Sequence, residues 1–142
     1  MTSPVSECFM PLIEWDDDFS VHDADMDQHH QHLVQLLNRA YDDFVNRAPA
    51  ESLGGVIHDL LNYATYHFYT EERHMAESAY PELEEHREEH SRFVLKIAKL
   101  QKEFQDGDRH LSFETISFLK NWITHHIREI DVRYGEYLAG RP

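Results

Sequence analysis

Histidine makes up 12 of the 142 residues, and five of these histidines fall at positions where an apolar side chain is due. Between residues 83 and 104 the apolar stripe reads Leu83, His86, His90, Phe93, Ile97, Leu100, Phe104. Residues four apart in a helix sit about 40° apart around the axis, one turn above the other, so His86 and His90 point inward together. Two imidazoles so placed can share one metal ion. Another stripe carries Leu53, Ile57, Leu60, Ala64, His67, Glu71 and Met75, setting an imidazole and a carboxylate four apart at core positions. The stripe Met26, His30, Leu33, Leu37, Ala40, Phe44 selects His30 over its neighbour His29, which is rotated by about 100°. The stripe Ile116, Leu119, Ile123, His126, Ile130, Tyr137 selects His126 over His125 in the same way.

A lone histidine on an apolar face is more often a hydrogen-bonded core residue than a ligand, and a lone glutamate there is more often an ion-pair partner. Concurrence changes that balance. Each buried polar group left unpaired costs roughly 1–3 kcal/mol, and here every stripe contributes at least one. A shared metal removes the cost. His22, His32, His58, His74 and His110 fall off the stripes and read as surface residues.

The stripes define the elements that must position these groups. Helices are expected over about 26–46, 50–76, 82–104 and 112–138, with breaks at Arg47–Pro49, Ser78–Pro81 and Asp106–Asp108. Pro49 and Pro81 suit first-turn positions, and Asp106–Gly107 is a turn signal. Short connections make neighbours antiparallel, so the fold is an all-α, up-down-up-down four-helix bundle spanning 26–138. Residues 1–25 form an N-terminal arm whose Trp15 and Phe19 pack across it. The formal net charge of −14 opposes binding to nucleic acid or an anionic membrane surface. No apolar run is long enough to span a bilayer, the first residues lack a signal-peptide pattern, and Cys8 is the one cysteine. A cytoplasmic location is therefore expected.

The segments WDDDFSVHDADMDQHHQHLVQLLN, HFYTEE, YPELEEHREEH and WITHHIREID, in this order, resemble the hemerythrin family, specifically its single-domain bacterial members. The resemblance covers about residues 12 to 137. It implies a cofactor of two iron ions with an oxo or hydroxo bridge, and dioxygen as the ligand. It also implies the metal ligands His30, His67, Glu71, His86, His90, His126 and Asp131. Asp131 comes from the resemblance alone. Five residues turn an ideal helix by about 140°, and spacing by itself pairs Glu129 with His125 or His126. Asp131 must therefore reach the site from the stripe's edge, beside Ile127, or the helix must be wound wider locally.

Two octahedral ions offer roughly twelve positions. Five imidazoles, two bridging carboxylates and one bridging oxygen leave one open. His86, His90 and His126 complete one ion, so the vacancy lies on the ion held by His30 and His67. The expected apolar lining around it is Leu33, Trp122, Ile123 and Ile127, which would exclude water and protons. An imidazole-rich set favours reversible oxygen binding for transport, storage or delivery over the oxidation of a substrate. An oxygen or redox sensor and a di-iron peroxidase or oxidase are the alternatives, although no nucleophile, nucleotide loop or HExxH motif speaks for catalysis. The chain departs from the family pattern at His22, Asp23 and His29, and either histidine could approach the open position.

Overall fold

The computed structural model describes residues 12–21, 23–107 and 113–140. His22, His110 and Ser112 lie outside the described residues. The four rods are α1 (Ala24–Val45), α2 (Ala50–Glu77), α3 (Leu83–Gln105) and a composite fourth. This last runs as α4 (Phe113–His125), a six-residue π-helical stretch His126–Asp131, and α5 (Val132–Ala139). Among the described residues there is no strand, and no helix is long and apolar enough to cross a membrane. The fold is an all-α antiparallel four-helix bundle.

Local chemistry sets the ends. Asp23 caps α1, its carboxylate accepting the Met26 N–H at 3.0 Å. Pro49 immediately precedes α2, and Pro81 sits just ahead of α3. After α2 the chain turns through Ala79 at φ 55°, with the Tyr80 N–H donating back to the Met75 carbonyl at 2.9 Å. This is a left-handed helix stop built without glycine, a conformation that costs an L-residue roughly 1–2 kcal/mol. Ala79→Gly should raise unfolding stability by about 0.5–1 kcal/mol, read from the urea midpoint. An unchanged midpoint would mean that the turn carries no strain.

The arm is fastened at several points. Asn38 of α1 acts as a backbone mimic: its Oδ1 accepts the Ile13 N–H and its Nδ2 donates to the Ile13 carbonyl, both at 2.9 Å. Asp27 accepts from the Ser20 hydroxyl at 2.7 Å and the Val21 N–H at 2.8 Å. Trp15 stacks on Phe19, whose ring also lies under the Arg128 guanidinium, and Arg128 donates to Asp18 at 2.9 Å. The Val21 carbonyl crosses so close to Gly135 that a Cβ there would stand 2.6 Å from its oxygen. Because that oxygen belongs to backbone, it cannot swing aside. Gly135→Ala should therefore cost about 1–3 kcal/mol in thermal unfolding and loosen the arm; an unaltered melt would contradict this seat.

The stripes of α1, α2 and α3 are buried as expected, apart from partly exposed edges at Phe44 and Leu83. In the fourth rod the stripe holds through Ile116, Leu119, Ile123 and His126 and then moves by one position. Ile127, Asp131 and Tyr134 are buried, whereas Ile130 and Tyr137 stand nearer the surface. The π-helical stretch is the cause. Its wider turn takes up one extra residue and advances the register of everything after it.

Candidate metal centre

All seven polar residues assigned above lie in the core, each with 2% or less of its surface exposed. α1 supplies His30, α2 supplies His67 and Glu71, α3 supplies His86 and His90, and the π-helical stretch supplies His126 and Asp131. They form two overlapping groups, in each of which the donor atoms lie within 4.8 Å of one another. One holds Glu71, His86, His90, His126 and Asp131; the other holds His30, His67, Glu71 and Asp131. Both carboxylates belong to both groups. The histidines divide three and two.

The wide turn explains Asp131. In α-helical winding it would point away from His126, but the two residues are the ends of the π stretch and share its inner face. His126 Nε2 stands 3.2 Å from Asp131 Oδ1. Glu129 and His125, which spacing alone would have paired, are exposed and outside both groups.

The geometry is that of anions surrounded by imidazoles. His86 Nε2 lies 2.9 Å from Glu71 Oε1 and 2.8 Å from Asp131 Oδ1. Burial alone would lower the His86 pKa, but these two carboxylates outweigh it and lift it to about 10. Burial likewise opposes the charged form of His30, yet Asp131 and Glu71 hold its pKa at about 9. Burial also works against charge on Glu71 and Asp131; the imidazoles of His126, His30 and their neighbours prevail and keep both well below the usual carboxylate range. His67 has a carboxylate no nearer than 3.6 Å, and burial drives its pKa down to about 3.

Hydrogen bonds within the protein do not satisfy this cluster. His30 Nδ1 and Nε2, His67 Nε2, His126 Nδ1 and Asp131 Oδ2 are buried without a hydrogen-bond partner. His30 Nε2 approaches Asp131 Oδ2 to 3.0 Å, but off the line that a hydrogen bond requires. His90 Nε2 and His126 Nε2 face each other at 3.0 Å, both directed at Glu71 Oε1. Such a set of inward lone pairs and anions fits two cations bridged by two carboxylates.

Of the apolar residues expected beside the open position, Leu33, Ile123 and Ile127 are buried in the continuous apolar core, and Trp122 packs partly buried against it. Trp122 stacks on His126, with ring centroids 4.4 Å apart and planes 9° apart, which places it against the three-histidine group. Phe68, which no stripe singled out, stacks on His90 at 3.9 Å. Glu72 was missed too; it accepts from His90 Nδ1 at 2.7 Å, leaving Nε2 bare toward the cluster. Both follow a stripe residue directly in sequence and lie off the stripe, so periodicity passed over them. His29 does not approach the inner face. It stands behind His67, Nδ1 to Nδ1 at 2.9 Å, and its pKa is lowered by burial and by His30.

Comparison with known proteins agrees with this geometry. Residues 21–138 match the family model described as the hemerythrin HHE cation binding domain. The chain is 28% identical to the bacteriohemerythrin of Methylococcus capsulatus, over 92% of this chain and 99% of the relative. It is 36% identical to the myohemerythrin of Riftia pachyptila, over 84% of this chain and 88% of the relative. A crystal structure of a wild-type hemerythrin superposes with a TM-score of 0.84 at 27% identity, covering 91% of this chain and 99% of that one. With a sequence match across most of its length and a bundle that closes on two carboxylate-sharing histidine groups, the chain belongs to the hemerythrin family.

Proposed function

We propose that this chain binds dioxygen reversibly at a di-iron centre, with His86, His90 and His126 on one iron and His30 and His67 on the other. Glu71 and Asp131, which belong to both groups, would be shared between them. The division of five histidines into three and two around a shared carboxylate pair is the observation that supports this most directly. Iron held there supplies reducing electrons and an open coordination position for dioxygen.

The chain's own residues do the rest. The two carboxylates set the spacing of the pair, and four helices fix the rings before any metal arrives, so little reorganisation is needed on loading. The His30–His67 group, with one imidazole fewer, would be the side that takes dioxygen. Leu33, Ile123 and Ile127, all buried, would keep bulk water from the centre and slow the delivery of protons to it. Among the described residues the two groups hold two carboxylates against five imidazoles, a donor set less suited to high iron oxidation states than carboxylate-rich sites. That favours carriage, storage or delivery of oxygen over oxidation of a substrate.

Optical titration of the anaerobically reduced protein with oxygen tests the reading. A visible band should appear with oxygen and vanish when oxygen is removed, over repeated cycles, with two irons per chain. Prompt irreversible oxidation on the first exposure would refute reversible binding.

A further inference from the structure

A nitrogen that holds a metal must carry no proton. If His67 Nε2 is a ligand, the ring's proton sits on Nδ1 and must be given to an acceptor. The structure supplies one: Nδ1 of His29, at 2.9 Å. That nitrogen is then bare, and His29 carries its own proton on Nε2. The His29 ring is held in this attitude by Tyr66 and Tyr63, with ring centroids 5.4 and 5.8 Å away. On the other side of the centre the outer nitrogen of His90 gives its proton to a carboxylate, Glu72, at 2.7 Å. The two rings are thus backed differently, His90 by a carboxylate and His67 by another imidazole.

We propose that His29 is a positioning residue for the two-histidine half of the centre: it fixes the His67 tautomer and, being a neutral acceptor, leaves His67 a weaker electron donor than His90. The inference rests on the di-iron reading above. A carboxylate behind a ligand imidazole draws the Nδ1 proton outward and enriches Nε2, which stabilises the ferric ion. A neutral imidazole does this less. His67 would therefore favour the ferric state of an iron held on its side less than His90 would on the other.

Nitrogen-15 NMR of the metal-free protein should show His67 protonated at Nδ1. His29→Leu should shift it toward the Nε2-protonated form, and His29→Gln, whose side-chain carbonyl can accept the same bond, should restore the parent pattern. In the iron-loaded protein His29→Leu should lose iron to a chelator about 10-fold faster or more, with His29→Gln near the parent. His29→Glu, which places an anion there, should lower the midpoint potential and speed autoxidation in air. An unshifted tautomer in His29→Leu, with iron release at the parent rate, would overturn the positioning role. A potential unchanged or raised in His29→Glu would overturn the neutral-acceptor role. Should the parent protein fail to take up two irons, the di-iron reading falls, while the tautomer measurement still decides what His29 does.

Discussion

Asp131→Asn should abolish oxygen binding while leaving the bundle folded. The amide keeps the shape of the side chain but loses the second anionic oxygen, and among the described residues Asp131 is one of two groups that belong to both halves of the centre. The His30–His67 half then retains Glu71 as its sole carboxylate, so iron should fall from two per chain toward one or none. Loss of a ligand of this kind costs at least the 10- to 100-fold typical of removing its outer partners, and more where a bridge is broken. Glu129→Gln is the matched control, since Glu129 is exposed in the same turn and lies in neither group. Metal analysis with circular dichroism decides it. A variant of Asp131 that keeps two irons and the oxygen-dependent band would refute the bridging role.

Removal of iron should produce the second large effect. A ligand at about 1,000 times its dissociation constant stabilises the fold by about 4 kcal/mol. For a chain of this length that corresponds to a fall in melting temperature of roughly 15 °C on stripping the metal. The pH dependence should change as well. In the metal-free protein His30 and His86 have pKa values raised to about 9 and about 10 by the carboxylates, against 6.5 for free imidazole. Their stabilisation is fully present below about pH 6.5 and fades as pH rises through 9 and 10, because the folded form must give up protons that it holds tightly. The metal-free melt should therefore worsen on the alkaline side, whereas the iron-loaded protein, with these imidazoles already deprotonated, should not follow it. Equal melts with and without iron would contradict the centre's contribution to folding.

Much of this site is legible in the sequence because burial is periodic. His30, His67, Glu71, His86, His90 and His126 occupy positions that a 3.6-residue repeat assigns to the core, and the same repeat sets aside His29 and His125. Asp131 escaped that logic, and only the family resemblance supplied it, since a uniform helix turns it away. For the same reason Ile130 and Tyr137 were expected inside, where Ile127 and Tyr134 are found. Phe68, Glu72 and the role of His29 were out of reach for a different reason. They act on the backs and flanks of the ligand rings, and a repeat that reports only which face is buried carries no information about such contacts.

The six residues from His126 to Asp131 also divide the fourth rod into two parts set at different phases. Excising a single exposed residue there, such as Glu129, would let the rod close into one uninterrupted α-helix with the tyrosine-rich C-terminal turns still facing the same way. Scaffold and cofactor cradle can thus be uncoupled by one codon. Such a shortened chain would keep its helices, and could gain rigidity, yet its aspartate would sit on a narrower spiral than two irons require.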